Sequence, residues 1–463
     1  MRLTLFFSVA LCSLISVNAQ FGAPQIISSE TDKAYMSIPV DIDNDGFIDV
    51  LSAQAENHTM VWFRNLDGEG NFSSKNIITS DPALYLSIDF ADVDSDGDDD
   101  IVFLVNNPRE IRWIENLDGQ GNYGNEHLIV SIDYIQSFSM IDFDNDSDLD
   151  VIATLTNTFT GRLSWFENTD GLGTFSSEQV LLTDDAEYLN PILEDLDNDG
   201  DIDILTSLES HAPSKIVWYE NSGNLSFNIE HEILTFQFLV SDFTSVVDLQ
   251  FVDIDNDGMK DVFFETYHDD AGSTTGWLKN MGGTGEFAEA QNITFYNGQR
   301  RFYDLDNDGD NDMLGIYRQT DLLFWVENTN ASGSFDIIRT ISDEVDFPRD
   351  TQAADFDGDG LLDVVVASLG DNTVVWFKNT GILDVVENVA FSINMYPNPT
   401  SSIVYLNTNE PLASIVMHNV LGTKIKSFPA TSQFDISEVP SGLYFFKIKT
   451  VSGMVSTQKI IKR

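Results

Sequence analysis

Apolar and polar positions alternate in short bursts along most of this chain. Segments such as Asp49-Val-Leu-Ser-Ala and Asp363-Val-Val-Val-Ala-Ser are rich in β-branched residues and bounded by Gly, Asn and Asp. That pattern predicts short strands joined by turns. The bursts recur with a fixed period. A pattern Asp-x-Asp-x-Asp-Gly-x-x-Asp begins at Asp41, Asp92, Asp142, Asp195, Asp253, Asp304 and Asp355, at spacings of 51, 50, 53, 58, 51 and 51 residues. Each copy is followed by Trp, any residue, a charged residue and Asn, from Trp62 to Asn65 in the first and Trp376 to Asn379 in the last. These seven tryptophans are the only ones in the chain.

Each period has room for four strands and no plausible helix. Seven four-stranded units of about this length predict an all-β fold, a seven-bladed β-propeller. A Gly-rich turn follows most Trp strands, and an aromatic then opens a fourth strand: Phe72, Tyr123, Phe175, Phe227, Phe287 and Phe335. The seventh repeat lacks this strand. Its counterpart stands at the other end of the repeats, as Phe21-Gly22-Ala23-Pro24-Gln25-Ile26-Ile27. The N-terminal strand is therefore expected to complete the last blade, closing the ring and leaving no open sheet edge.

The flanks read differently. Arg2, an apolar run from Leu3 to Ile15 and then Val17-Asn18-Ala19 predict a secretory signal peptide over residues 1–19. The propeller is expected over 20–381, a linker over 382–391 and a small Ig-like β-sandwich over 392–463. The one cysteine, Cys12, excludes an intrachain disulfide and any cysteine-based metal site. No stretch of about 18 uninterrupted apolar residues suggests a transmembrane helix.

Charge then narrows the chemistry. The chain carries 23 Lys+Arg against 76 Asp+Glu, a formal net charge of −53. Such a surface repels nucleic acid and anionic membranes. Residues 20–381 hold 15 basic and 71 acidic side chains, and the repeated loops account for 28 of those acids. Crowded carboxylates need a counter-charge, and calcium prefers six to eight oxygen ligands. Up to seven structural calcium ions are thus expected. The candidate ligands are Asp41, Asp43, Asp45 and Asp49; Asp92, Asp94, Asp96 and Asp100; Asp142, Asp144, Asp146 and Asp150; Asp195, Asp197, Asp199 and Asp203; Asp253, Asp255, Asp257 and Asp261; Asp304, Asp306, Asp308 and Asp312; and Asp355, Asp357, Asp359 and Asp363. The Phe47 carbonyl could add a ligand in the first loop. Apolar residues at the second and tenth positions, such as Ile42 and Val50, would anchor each loop to its blade. Ser147 replaces the loop glycine in the third copy, which puts that site in question.

These repeats resemble FG-GAP (VCBS-type) repeats, as in the propeller of integrin α subunits. The resemblance implies that the Asp loop joins two strands of a blade and binds calcium, and that the opposite face meets partners. On topology, the calcium loops and the Asp-Gly-x-Gly turns should share one face. The loops between strands 2 and 3 and between blades should form the other, with a recurrent aromatic at Tyr35, Tyr85, Tyr134, Tyr188 and Phe347. The tryptophans read as core between blades, and the Asn after each as a turn former.

Composition changes in the tail. Residues 391–463 hold seven Lys+Arg against three acids. Tyr396-Pro-Asn-Pro-Thr-Ser, Val439-Pro-Ser-Gly-Leu-Tyr and Gln458-Lys-Ile-Ile-Lys-Arg resemble the type A sorting domain of type IX secretion in Bacteroidetes. That resemblance implies contact with the secretion machinery and export across the outer membrane, to the cell surface or the medium. The reading that follows is a secreted, calcium-binding, non-catalytic platform for an extracellular protein or glycan. The alternative is a secreted polysaccharide lyase or glycoside hydrolase on the same scaffold, and a third is a purely structural surface protein. No nucleophile elbow, His-Glu-x-x-His or phosphate loop is present, so no catalytic residue is assigned.

Overall fold

The computed structural model describes residues 20–80, 83–157, 160–209, 214–236, 244–268, 272–293, 298–329, 331–381, 394–407, 412–419, 424–450 and 455–463. The expected signal peptide and linker lie outside these residues, as do Ser210-His211 and Asp269-Asp270 of two inter-strand loops. The described residues fall into two compact units, a seven-sheet unit and a C-terminal unit.

The seven-sheet unit is built as the periodicity demands. Blade 1 consists of Ala34–Val40, Asp49–Gln54, Thr59–Phe63 and Asn76–Ser80, hydrogen-bonded in that order and antiparallel throughout. Five further sheets repeat the arrangement, the sixth ending in Phe335–Ser342. Blade 7 takes three strands from its own repeat, Pro348–Ala354, Asp363–Ser368 and Thr373–Phe377. Its fourth is Gln25–Ser28, with Gln25 opposite Trp376 and Ile26 opposite Val375. A bridge between Phe21 and Asn379 has the form of those joining Asn65 to Phe72 and Asn168 to Phe175 inside other blades. The displaced N-terminal strand closes the ring as expected.

Burial explains why the second strand of each blade reads as nearly continuous apolar sequence. Every residue of Asp49–Gln54 and Asp363–Ser368 is buried, because neighbouring blades cover both faces of the sheet. All seven tryptophans are buried, at 1–8% exposure. They are packing residues, as expected, and those of blades 1 to 5 and 7 pack against the next blade. A methyl group placed on Gly70 would stand 2.2 Å from the Trp376 ring, and one on Gly121 2.8 Å from Trp62. The glycine of one blade's turn thus makes room for the indole of the blade before it. The Gly70–Trp376 contact joins blade 1 to blade 7 and seals the circle.

The C-terminal unit has a three-stranded sheet (Asn394–Tyr396, Ile403–Asn407, Gln433–Asp435) and a four-stranded one. The latter runs Lys424–Phe428, Leu412–His418, Gly442–Thr450, Val455–Lys462. Val404, Leu406 and Phe434 from the first share one core with Ile415, Met417, Phe446, Ile448 and Ile460 from the second. This is the small β-sandwich the alternation predicts. Among the described residues, no helix is long and apolar enough to cross a membrane.

Candidate metal centres

Each Asp loop joins the first and second strands of its blade, and its own side chains wind it. In blade 1 the Asp41 carboxylate accepts hydrogen bonds from the amides of Asp45 and Gly46, and Asp45 accepts one from Phe47. The same first-position bonds recur in other loops, for example Asp96 and Gly97 on Asp92. Two positions take left-handed backbone. The fourth residue does so in all seven loops, from Asn44 (φ 53°) to Gly358 (φ 71°). The sixth does so as well, with Gly46 at 88° and Ser147 at 83°. Ser147 therefore does not break the third loop; its amide still reaches Asp142 at 3.2 Å. It holds a backbone conformation that costs a side-chain-bearing residue about 1 kcal/mol or more.

The anchors behave as expected. Second-position residues such as Ile42, Val93 and Phe143, and tenth-position residues such as Val50, Ile101 and Val151, are at most 3% exposed. The ninth aspartate does more than sequence reasoning assigned to it. Asp49 is fully buried and uses one oxygen to accept the Ile42 amide and the other to accept the Asn65 amide. All seven copies make both bonds, through Asp100, Asp150, Asp203, Asp261, Asp312 and Asp363. This residue ties the loop to the end of the Trp strand. Burial pushes the Asp49 carboxyl up to about 7 and that of Asp312 to about 8.

The Asn after each Trp is also more than a turn former. Asn65 is buried, and its side-chain amide donates to the Phe356 carbonyl of blade 7 at 2.8 Å. Asn116 reaches Ile42, Asn168 reaches Val93, Asn328 reaches Ile254 and Asn379 reaches Leu305, each in the preceding blade. In these five the cross-blade acceptor is the second residue of an Asp loop, while Asn221 and Asn280 donate to Ile202 and Lys260 of their own loops. The loops are thus built into the seams between blades, and the strict Asn spacing was the signal available for this in the sequence.

What remains for a cation are the carboxylate lone pairs that the amide hydrogen bonds leave free. Oxygens of Asp41, Asp43 and Asp45 lie within 4.8 Å of one another, as do those of the equivalent residues in blades 2, 3 and 4 and those of Asp253, Asp255 and Asp261 in blade 5. In six loops the third-position aspartate has a buried Oδ1 without a hydrogen-bond partner: Asp43, Asp94, Asp144, Asp255, Asp306 and Asp357. In blade 4 the Asp197 Oδ1 accepts the Asp199 amide instead. A buried, unpartnered carboxylate oxygen carries a desolvation penalty that a bound cation removes. The donor set is all oxygen, which suits calcium or magnesium and not a thiolate- or imidazole-seeking metal. The loops fit such an ion: the first, third and fifth aspartates, with the ninth as in blade 5, would hold it, and it would offset the negative charge crowded at this end of each blade.

The loops share a face with the Gly-rich turns. A methyl group on Gly68 would meet the Phe47 ring at 2.4 Å, and one on Gly119 would meet the Asp98 carboxylate at 2.2 Å. On the opposite side, the turns between strands 2 and 3 bond to the entrances of strand 1, as in Ala55 to Lys33 and Thr156 to Tyr134. The recurrent aromatics there divide. Tyr85 and Tyr188 are buried, and the Tyr35 hydroxyl donates to the Tyr85 carbonyl at 2.7 Å. Tyr134 and Phe347 are exposed, at 55% and 39%. Blades 5 to 7 also hold a buried charged cluster. Arg300 lies 5.0 Å from the Tyr317 ring near Glu265, while Asp350 accepts from Arg301, Gln299 and the Ser37 amide. Asp248 faces the same two arginines, and the buried setting of the cluster suits a structural role.

Comparison with known proteins agrees with the architecture. A lectin of Agrocybe aegerita, described as specifically recognising non-reducing terminal N-acetylglucosamine, aligns at 16% identity over 75% of this chain and 86% of its own, with a TM-score of 0.50. BBS1N in complex with ARL6DN aligns at 8% identity over 78% and 97% of the two chains, with a TM-score of 0.48. The Vibrio cholerae biofilm matrix protein Bap1 aligns at 13% identity over 74% and 76%, with a TM-score of 0.35. No curated protein matches the chain. Residues 394–463 match the secretion system C-terminal sorting domain, which implies export across the outer membrane, to the surface or the medium. The FG-GAP-like repeat matches residues 41–103, 142–206, 195–264 and 304–366, over half the chain, so the protein belongs to the FG-GAP-like repeat family and carries a secretion sorting domain behind its propeller.

Proposed function

We propose that this protein is an extracellular, calcium-stabilised binding or adhesion platform without catalytic activity, delivered by the type IX machinery through its C-terminal domain. Residues 1–19 would be removed during export, and 382–391 would link the propeller to the sorting domain. The observation that carries the reading is the set of buried third-position oxygens without partners, repeated around one face. Calcium held there by the 28 loop aspartates, including the ninth position as a ligand, would lock the seams between blades. The opposite face is then left for the ligand, with Tyr134 and Phe347 as its exposed aromatics. Aromatic rings that present a flat face to solvent suit sugar rings as well as protein side chains. The lectin of similar fold recommends glycans as the first ligands to try.

The test has two arms on the secreted protein. A glycan array and a depolymerisation assay on the same polysaccharides are run with calcium present. Retention without product release is the expected outcome. Release of oligosaccharides would replace the platform by an enzyme. Separately, calcium should raise the melting temperature of EDTA-treated protein, and no change would remove the metal from the proposal.

A further inference from the structure

The seven loops are not equivalent, and the differences come in matched pairs. The charged residue between Trp and Asn occupies one structural position in every blade. It follows the strand partner of the loop's tenth residue: Phe63 opposite Val50, Ile114 opposite Ile101, Leu278 opposite Val262, Phe377 opposite Val364. In blades 1, 5 and 7 it is basic, as Arg64, Lys279 and Lys378; in blades 2, 3, 4 and 6 it is Glu115, Glu167, Glu220 and Glu327. The loop's seventh residue follows the same division. It is Phe47, Met259 and Leu361 in the first set, and Asp98, Asp148, Asp201 and Asp310 in the second. Counting the nine loop residues and this flanking side chain, the formal charge is −3, −2 and −3 in blades 1, 5 and 7. In blades 2, 3, 4 and 6 it is −7, −6, −6 and −6.

Geometry shows what the basic residues do. Arg64 Nε lies 2.6 Å from the buried Asp43 carboxylate, and its Nη2 lies 2.8 Å from Asp45. Lys279 pairs with Asp255 and, at 2.6 Å, with Asp257. Lys378 pairs with Asp357 and, at 3.0 Å, with Asp359. Each therefore contacts the third and fifth aspartates of its own loop, two of the residues that would hold the ion. The second set shows the reverse. Asp148 and Asp310 each have a further buried Oδ1 without a partner, and Asp310 is only 6% exposed. Three of the glutamates have outward partners, Gln179 for Glu167, His231 for Glu220 and Arg339 for Glu327.

We propose that the ring carries two classes of divalent-cation site: tight sites in blades 2, 3, 4 and 6, and weak, self-neutralised sites in blades 1, 5 and 7, where Arg64, Lys279 and Lys378 act as built-in counter-ions. The inference rests on the reading of these loops as calcium sites and adds which of them need the ion. Each unit charge within about 5–6 Å of a divalent ion changes its affinity by roughly tenfold even at the dielectric of water. A difference of three or more charges therefore separates the classes by at least about a hundredfold.

The experiment is calorimetric titration of the EDTA-stripped full-length protein with calcium chloride. Four tight sites and three at least about a hundredfold weaker are expected. In Lys378→Glu/Leu361→Asp a fifth tight site should appear, and in Asp148→Leu/Glu167→Lys one of the four should be lost. Lys378→Gln, which only removes the charge, should tighten one weak site by about tenfold, and tryptophan emission reports whether each variant is folded. Seven sites of one affinity, or a stoichiometry unmoved by both double variants, would overturn the two-class assignment while leaving calcium binding intact. Absence of any calcium binding would remove the underlying reading together with this one.

Discussion

The propeller and the C-terminal sandwich both bury short antiparallel strands, but they use different materials to do so. The sandwich closes two sheets over one apolar core in which Phe428, Phe434 and Phe446 pack ring to ring. Its residues are non-repeating, and its charge is small and positive. The propeller joins seven sheets through seams that are apolar at the tryptophans and polar at the Asp loops. There a buried carboxylate and a buried Asn amide hold backbone groups of two blades. The comparison teaches that a repeated polar clasp can join sheets as an apolar core does, provided that its excess charge is compensated.

That difference can be pressed hardest by removing the proposed counter-ion. All seven tryptophans lie in the propeller, so their emission reports that unit alone. EDTA should lower the tryptophan-monitored melting temperature by many degrees, since each site held at a hundredfold over its Kd contributes about 2.7 kcal/mol. The sandwich transition, followed by circular dichroism, should not move. Coincident shifts in both would break the comparison.

Acidity sharpens it next. Without a cation, the ninth aspartates have folded-state proton affinities raised by burial, to about 7 for Asp100 and Asp363 and about 6 for Asp150. A raised folded value favours the protonated, folded form. Its stabilising contribution is complete below the unfolded value of about 3.9 and is lost as pH climbs through about 6 to 8. In EDTA the propeller should therefore melt earlier at pH 8 than at pH 5. Excess calcium should flatten that slope, and parallel slopes with and without calcium would separate these residues from the ion.

Single substitutions probe each material directly. Phe446→Ala empties the sandwich core and should cost about 3–5 kcal/mol in urea unfolding, regardless of calcium. Asp312→Ala strands the buried amides of Leu305 and Asn328 and should cost about 2–4 kcal/mol, seen in tryptophan emission. The smallest change is a gain. Ser147→Gly relieves the left-handed residue at φ 83° and should stabilise the propeller by about 1 kcal/mol. A loss there would mean that the serine hydroxyl has a role of its own.

Much of this was legible in the chain. The 50-residue period, the four strand bursts per repeat and the displaced Phe21-to-Ile27 segment determined the ring, its blade count and its closure. They could do so because strand alternation and turn chemistry are local properties that repetition makes visible. The buried second and tenth loop positions followed from the same logic. The double role of the ninth aspartate did not. Nor did the reach of Asn65 to Phe356, or the insertion of Lys378 between Asp357 and Asp359. Those contacts join residues far apart in sequence or on separate strands, and only the packing of blade on blade decides which carboxylate oxygen meets an amide, which meets an ammonium and which is left for a metal.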